Sequence, residues 1–498
     1  MTHPLNFLAF DLGAESGRAI LGQFDGKRIQ LSEVHRFPNG PVYLPDGMHW
    51  DVLRLWTEIK QSMGLIAREH GGDLAGVGLD TWGVDFGLLD RDGALVSNPY
   101  HYRDSRTDGM IDEAFRRVPR EEIFEQTGIQ FMPLNSLYQL LSMVVSRSPA
   151  LDIAETFLTM PDLFNYWLTG RKVCEFSNAT TTQCYDPRKG DWARPLLEGL
   201  DIPTHIFPEI VPPGTILDQL SPSVAEEVGL RPQGGLPVIA PACHDTGSAV
   251  AAVPAEGSDF AWISSGTWSI MGAELPEPVI NEQSLSFNFT NEGGVCGTFR
   301  FSRNIMGLWL VQECRRTWAR QGEEFSYDEL TQMATQAGPF QAVIDPDYGD
   351  FLKPGDMPDR IRAFCQMTNQ PVPQSKGAII RCALEGIALK YRWVLERVEE
   401  MLDRRLEPLH IVGGGTQNWL LSQFTADAIG RPVITGPIEA TAAGNIVMQA
   451  MGLGHLASLE EGREVVRNSF DVVSYEPAGG SEWDEAYARL LALMEQTG

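Results

Sequence analysis

The sequence predicts an α/β protein of two related domains, and three observations carry that expectation. At 498 residues the chain is longer than one hydrophobic core usually grows. Strand-like and helical patterns alternate along much of it. A short device also occurs twice, about half the chain apart: a strand that ends on an aspartate and turns at once through glycine and small hydroxylated residues. The first is residues 6–11 running into Leu12, Gly13, Ala14, Glu15, Ser16, Gly17 and Arg18; the second is residues 238–242 running through Cys243 and His244 to Asp245, Thr246, Gly247 and Ser248. Such turns point backbone N–H groups into one concavity that suits phosphate, and each aspartate is placed for a metal or a proton. A lone Asp-x-Gly after an apolar run is ordinary punctuation. Further glycine devices at residues 264–269 and 411–418, each after an apolar β-like run, tip the balance toward a nucleotide held between two domains.

Residues 6–11, 18–24 and 29–37 read as three strands of an antiparallel meander. Residues 51–70 carry Val52, Leu55, Trp56, Ile59, Met63 and Ile66 at helical spacing and stop at Gly71 and Gly72. A strand follows at 75–80, with 84–90 expected to hairpin beside it. The proline-rich 203–213 and turn-rich 221–235 mark a boundary, giving domains 1–236 and 237–498. The second half repeats the grammar with strands at 236–242, 260–265 and 298–302 and a helix at 304–320. Then come a long helix at 375–402, a strand at 409–413, a helix at 419–429, a strand at 432–435 and a helix at 440–451. That alternation implies a parallel segment with ligand loops at its carboxyl edge.

Lys plus Arg total 39 against 66 Asp plus Glu, a net charge of −27, which disfavours nucleic acid or an anionic membrane as partner and also serves solubility. Seven scattered cysteines without a CxxC pair suit a reduced, cytoplasmic protein with free thiols. Met1, Thr2, His3 and Pro4 lead straight into a strand with no basic stretch, and no run of 18 apolar residues follows, so neither export nor membrane insertion is expected. There is no GxxxxGK[ST] loop, no GxGxxG behind the first strand, no HExxH and no GxSxG.

Through nearly its whole length the chain resembles the FGGY carbohydrate kinases. The strings that carry the resemblance are DLGAESGR (11–18), VHRF (34–37), DTWGVDF (80–86), YRDSRT (102–107), GIQFMPLNSLYQL (128–140), SNATTTQ (177–183), CHDTGSAV (243–250) and SSGTWS (264–269). TNEGG (290–294), RNIMGLWL (303–310), HIVGGGTQN (410–418) and GPIEATAAGNI (436–446) complete the series. DLG, SSGTW and GGG are common to actin-like ATPases and imply ATP and two actin-like (RNase H-like) domains flanking a nucleotide/sugar cleft. DTWGVDF, YRDSRT and RNIMGLWL are more particular and imply L-rhamnulose, phosphorylated at its 1-hydroxyl, ahead of L-fuculose, D-xylulose or glycerol. The fold also serves ATP-driven assembly proteins and non-catalytic sugar sensors.

The resemblance implies ATP with magnesium, domain closure, and a monomer or small homo-oligomer. Asp245 matches the family's catalytic base, with capping of a helix from Thr246 as its ordinary alternative. Asp11 would hold magnesium or orient phosphates. Ala14, Glu15, Ser16, Gly17 and Arg18 would wrap the phosphates. A carboxylate at Glu15 repels a triphosphate unless it faces magnesium or solvent, so its backbone is the expected contributor. Thr267 would reach the phosphates as the counterpart of Ser16, and Gly414 would leave room for adenosine. Asn304 and Gln312, eight apart on one expected helix, would face the nucleotide together. Trp82, Gly83, His244, Asp245 and Thr246 would bind the sugar, the indole against its apolar side. Arg103 and Asp104 are weaker candidates.

Overall fold

The computed structural model describes residues 4–231 and 234–497. The expected direct entry of Met1, Thr2 and His3 into a strand, and Pro232 and Gln233 of the turn-rich stretch, lie outside the described residues. The chain divides into two compact units: the described parts of Met1–Ala252, Glu274–Phe301 and Ala440–Ser469, and those of Val253–Ala273, Ser302–Glu439 and Phe470–Gly498.

In the first unit a six-stranded sheet has the order Thr215–Gln219, Pro237–Ala240, Gly76–Thr81, Leu5–Leu12, Ser16–Phe24, Ile29–Pro38. Leu5–Leu12 is antiparallel to Ser16–Phe24 and parallel to Gly76–Thr81, which is parallel to Pro237–Ala240. The central strand LNFLAFDL has six of its eight residues buried, as a strand covered on both faces requires. Leu8, Phe10, Leu12, Val77 and Leu79 point to one face and pack with Val52, Leu55, Ile59, Met63 and Ile66 of the helix Val52–Glu69. That helix starts where the Asp51 side chain accepts from the Arg54 N–H. The alternate face takes the helix Ala440–Gly452, whose approach needs glycine: a Cβ at Gly78 would sit 2.5 Å from Asn445 Oδ1.

Two expectations fail here. Phe86–Leu89 does not hairpin beside the Gly76–Thr81 strand; it pairs antiparallel with Thr156–Thr159 and packs into a second core with Leu137, Leu141, Leu163, Trp192 and Phe207. The strand expected at 236–242 does not open the second sheet, because Pro237–Ala240 belongs to the first. The two aspartate turns therefore lie on one sheet of one unit.

In the second unit Ala261–Ser265 pairs antiparallel with Trp268–Leu275 and parallel with Leu409–Val412, which is parallel to Val433–Thr435. Val473–Tyr475 closes that side antiparallel. The helix Lys376–Leu402 is capped by Ser375, whose side chain accepts from the Ala378 N–H, and Trp419–Ile429 is capped by Asn418. The helix expected at 304–320 begins only at Trp309, because the strand Phe299–Met306 runs on and Gly307 follows it. Asn304 therefore lies in a strand and not on the helix that carries Gln312.

Candidate active site

The carboxyl ends of three parallel strands gather the acidic residues of the first unit. Asp11 is the register partner of Asp80, and Thr81 bridges His244, which puts Asp245 at the same edge. Thr81 N–H donates to Cys243 O at 2.9 Å, and Trp82 N–H to Leu12 O at 3.2 Å. Asp80 is fully buried and Asp11 is 5% exposed, whereas the Asp245 side chain is 30% exposed; of these three, Asp245 is the carboxylate a dissolved substrate can reach.

Electrostatics sharpen the distinction. Burial pushes the Asp80 carboxyl well up, and the charges of Asp11 and Asp245 push it further against the hydrogen bond from Asn445. Asp80 Oδ2 accepts from Asn445 Nδ2 at 2.6 Å, while Oδ1 is buried with no hydrogen-bond partner among the described residues. Burial raises Asp245 as well, with its neighbour His244 opposing and the charge of Asp11 adding to the rise. Asp245 opens the helix Asp245–Ala251 without capping it: His244 is the N-cap residue, and the Asp245 carboxylate accepts from Thr246 Oγ1 at 3.0 Å.

The turn after Leu5–Leu12 closes an antiparallel hairpin. Gly13 N–H donates to Ser16 O at 3.0 Å, and Asn39 braces the turn from Nδ2 to Gly13 O at 2.8 Å and from its own N–H to Glu15 O at 2.9 Å. Ala14, Glu15 and Ser16 are partly exposed, and Gly17 is buried against Phe37. The Arg18 guanidinium forms an ion pair with Asp11. Among the described residues no three His, Cys, Asp or Glu side chains group to hold a metal. The buried Asp80 Oδ1, without a hydrogen-bond partner among the described residues and beside Asp11, is nevertheless an oxygen that a magnesium ion would fit.

Trp82 is 5% exposed, its ring 4.0 Å from that of Trp50, and its indole N–H donates to Asp85 Oδ2 at 3.0 Å. Gly83 admits Thr181, whose Oγ1 and Cγ2 would lie 3.0 Å from a Cβ there. Val84 follows at φ 67°, a left-handed conformation that a β-branched residue rarely adopts. It is held by Thr181 Oγ1 on its N–H at 2.9 Å and by the Ser136 hydroxyl on its carbonyl. Fully buried Asp85 also accepts from Trp50 Nε1 at 2.6 Å, Gln139 Nε2 at 2.8 Å and Tyr102 N–H at 3.2 Å. Burial, countered by the bonds from Gln139, Trp50 and Trp82, leaves its carboxyl raised to about 6.

A second brace was not among the expected site residues. Glu175 Oε2 accepts from Cys243 N–H at 2.9 Å, Ser177 Oγ from His244 N–H at 3.1 Å, and Asn178 Nδ2 donates to both Trp82 O and Cys243 O at 3.3 Å. The SNATTTQ string thus joins the Trp82 and Asp245 segments. Burial, against hydrogen bonds from Ser177, raises Glu175 to about 7. Asp104 accepts from Met48 N–H and Arg106 N–H at 2.7 and 2.9 Å, a structural engagement, and Arg103 lies 5.2 Å from the Tyr102 ring centroid.

In the second unit, Thr267 lies in the hairpin turn between Ala261–Ser265 and Trp268–Leu275. Its carbonyl accepts from Trp309 N–H at 3.1 Å, so the turn abuts the start of the helix Trp309–Arg320. On that helix Gln312 Oε1 is buried with no hydrogen-bond partner among the described residues. Ser265 presses on both glycines that flank Gly414: a Cβ at Gly413 would meet its carbonyl oxygen at 2.9 Å, and one at Gly415 its hydroxyl at 2.0 Å. A Cβ at Gly414 would meet nothing within 4 Å, leaving that face of the turn open. Ser265 thereby links the Thr267 and Gly414 turns.

Family models match residues 6–252 as the N-terminal domain, and 261–453 as the C-terminal domain, of the FGGY family of carbohydrate kinases. A rhamnulokinase from Bacteroides thetaiotaomicron is 44% identical over 482 residues, covering 97% of this chain and 98% of that protein. One from Oceanobacillus iheyensis is 39% identical, covering 94% and 97%. Among solved structures, a ligand-bound xylulose kinase from Lactobacillus acidophilus superposes with TM-score 0.79 at 15% identity, covering 99% of this chain and 96% of that one. A glycerol kinase with ADP from Plasmodium falciparum superposes with TM-score 0.77 at 15% identity, covering 99% and 98%. The chain belongs to the FGGY family of carbohydrate kinases.

Proposed function

We propose that this sugar kinase transfers the γ-phosphoryl group of ATP to the 1-hydroxyl of L-rhamnulose, giving ADP and L-rhamnulose 1-phosphate. The observation that carries the reading is Asp245: a carboxylate at the sheet edge, braced through Cys243 and His244, yet 30% exposed. The sugar named follows from the rhamnulokinases matched across nearly the whole chain.

The sugar oxygen forms a bond to the γ-phosphorus, the bond to the β,γ-bridging oxygen breaks, and the hydroxyl proton passes to Asp245. Its raised pKa makes Asp245 a stronger base than an ordinary aspartate. His244 and Thr246 flank it, and the Trp82–Gly83 turn supplies a rigid, apolar wall for the methyl end of a 6-deoxy ketose. The 12–18 turn would meet phosphate through its backbone. In the second unit Thr267 would serve the phosphates, with Gln312 and the open face of Gly414 serving the nucleoside. Asn304, in the preceding strand, keeps its proposed nucleotide role separately from the helix. Magnesium, bound with ATP near Asp11, would neutralise phosphate charge. The reaction is assigned to the cytoplasm, in a monomer or small homo-oligomer.

The test is coupled ADP release with ATP and magnesium across L-rhamnulose, L-fuculose, D-xylulose, L-ribulose and glycerol. A strong L-rhamnulose preference is expected. If another acceptor is turned over faster, the substrate assignment fails; if none stimulates ADP release, the chain is a sensor and the kinase reading fails with it.

A further inference from the structure

His244 is nine-tenths buried, and its two ring nitrogens face opposite kinds of neighbour. Nε2 lies 3.5 Å from Asp245 Oδ1. Nδ1 lies 2.9 Å from Arg300 Nη2 and 3.3 Å from Glu292 Oε2, and those two groups are 3.1 Å apart. Arg300 is fully buried, and its Nε donates to Gly293 O at 2.8 Å, which fixes the plane of the guanidinium. The Gly293 N–H is itself pinned by Thr180 Oγ1 at 2.7 Å. Burial would raise Glu292, but its neighbours His244 and Arg300 outweigh that and keep the carboxyl below its usual range.

A guanidinium has donors and no acceptor. The imidazole nitrogen it reaches must therefore offer a lone pair, and Nδ1 at 2.9 Å is that nitrogen. The single proton of the neutral ring then sits on Nε2, on the Asp245 side. A proton on Nδ1 would satisfy Glu292 but would set two donors against each other at the shorter contact.

We propose that Arg300 and Glu292 are positioning residues: together they hold His244 as the neutral Nε2–H tautomer, and that N–H holds the Asp245 carboxylate in the orientation from which it takes the sugar's proton. Glu292 balances the buried guanidinium; Arg300 chooses the tautomer. The inference rests on Asp245 being the base. Without Arg300 the ring proton would move to Nδ1 to meet Glu292, and the Nε2 lone pair would face, and repel, the Asp245 carboxylate.

The direct readout is the two-bond ¹⁵N–¹H correlation pattern of ¹⁵N-histidine-labelled protein, with His244 assigned by its loss in His244→Gln. The wild type should show an Nε2–H imidazole and Arg300→Met an Nδ1–H imidazole. In steady state, Arg300→Met should lose about 10- to 100-fold in kcat, as misplaced catalytic groups do, with the KM for ATP unchanged within about twofold. Arg300→Lys, also donor-only, should recover part of that loss. An Nδ1–H or doubly protonated His244 in the wild type overturns the proposal without recourse to any variant. So does an Arg300→Met protein whose kcat stays within about twofold of the parent. If the wild type releases no ADP with any sugar, the role of Asp245 falls, while the tautomer measurement still decides what Arg300 does to His244.

Discussion

Burial is the largest influence on the carboxyls of Asp80, Asp85, Glu175 and Asp245 and raises all four. Asp85 is fully buried yet accepts from two indoles, an amide side chain and a backbone N–H. Asp85→Leu would strand those donors at about 1–3 kcal/mol each, so a loss of about 3 kcal/mol or more is expected in urea denaturation; an unchanged midpoint would contradict the network's importance. Asp245, raised by burial, must be ionised to accept a proton, so kcat should fall on acidification along a limb lying above the ordinary aspartate range. A limb at or below that range would contradict its assignment as base. Trp82 and Asp245 were singled out because their strings are distinctive. Asp85 was not singled out, although a carboxylate between Val84 and Phe86 signals burial, and a buried carboxylate signals a cage of donors. Arg300 lay outside every quoted string, and Glu292 lay in TNEGG without an assigned role, since only folding places them beside His244.

Among elements, the helix Asp245–Ala251 carries the proposed base and is gripped by Ala440–Gly452. A Cβ at Gly444 would lie 1.8 Å from Ser248 O, a collision with backbone that no rotamer relieves. Gly444→Ala should therefore cost about 3 kcal/mol, at the upper end of overpacking penalties, and impair kcat through the displaced helix. Gly40→Ala, where a Cβ meets nothing within 4 Å, is the control and should be close to neutral. Equal denaturation midpoints for the two variants would contradict the close approach. The helices expected at 51–70 and 375–402 start at Val52 and Lys376, one residue in, where Asp51 and Ser375 cap them. The helix start near 304 was misplaced because Asn304 imitates a cap, whereas the alternation of Phe299 and Phe301 carries the strand on to Gly307. Phe86–Leu89 was given the wrong partner because its true one, Thr156–Thr159, is too distant in sequence for any local pattern to show. The repeated aspartate device also proved to be two devices: residues 12–16 close a hairpin, as residues 265–268 do, while residues 243–248 lead into a helix.

At the scale of the molecule, Asp85, Glu175, Glu385 and Asp162 are held by burial with pKa values of about 6, 7, 7 and 8. Each keeps its proton in the folded chain at a pH where the unfolded chain has lost it. Their contribution is whole below about pH 4 and is lost as pH rises through those values. Glu292 and Asp347, held low, act the other way and lose their contribution on acidification. With −27 of net charge adding self-repulsion, the melting temperature should decline from about pH 5 to about pH 8; a steady rise over that span would contradict it. The mixed α/β class and the parallel run through Ala261–Ser265, Leu409–Val412 and Val433–Thr435 were legible from alternation alone. The return of Glu274–Phe301 and Ala440–Ser469 to the first unit was not, because composition reports on neighbours in sequence and compactness on neighbours in space. All seven cysteines are free thiols, as their scatter implied, and no helix among the described residues is long and apolar enough to cross a membrane.

The most direct measurement is rapid-quench phosphoryl transfer from ATP to L-rhamnulose by Asp245→Asn, alongside calorimetric binding of the sugar. A base whose loss leaves the pocket intact should lower the transfer rate by about 100- to 10,000-fold while the sugar's Kd stays within a few-fold of the parent. Transfer at near the parental rate by the Asn variant would remove Asp245 from the chemistry.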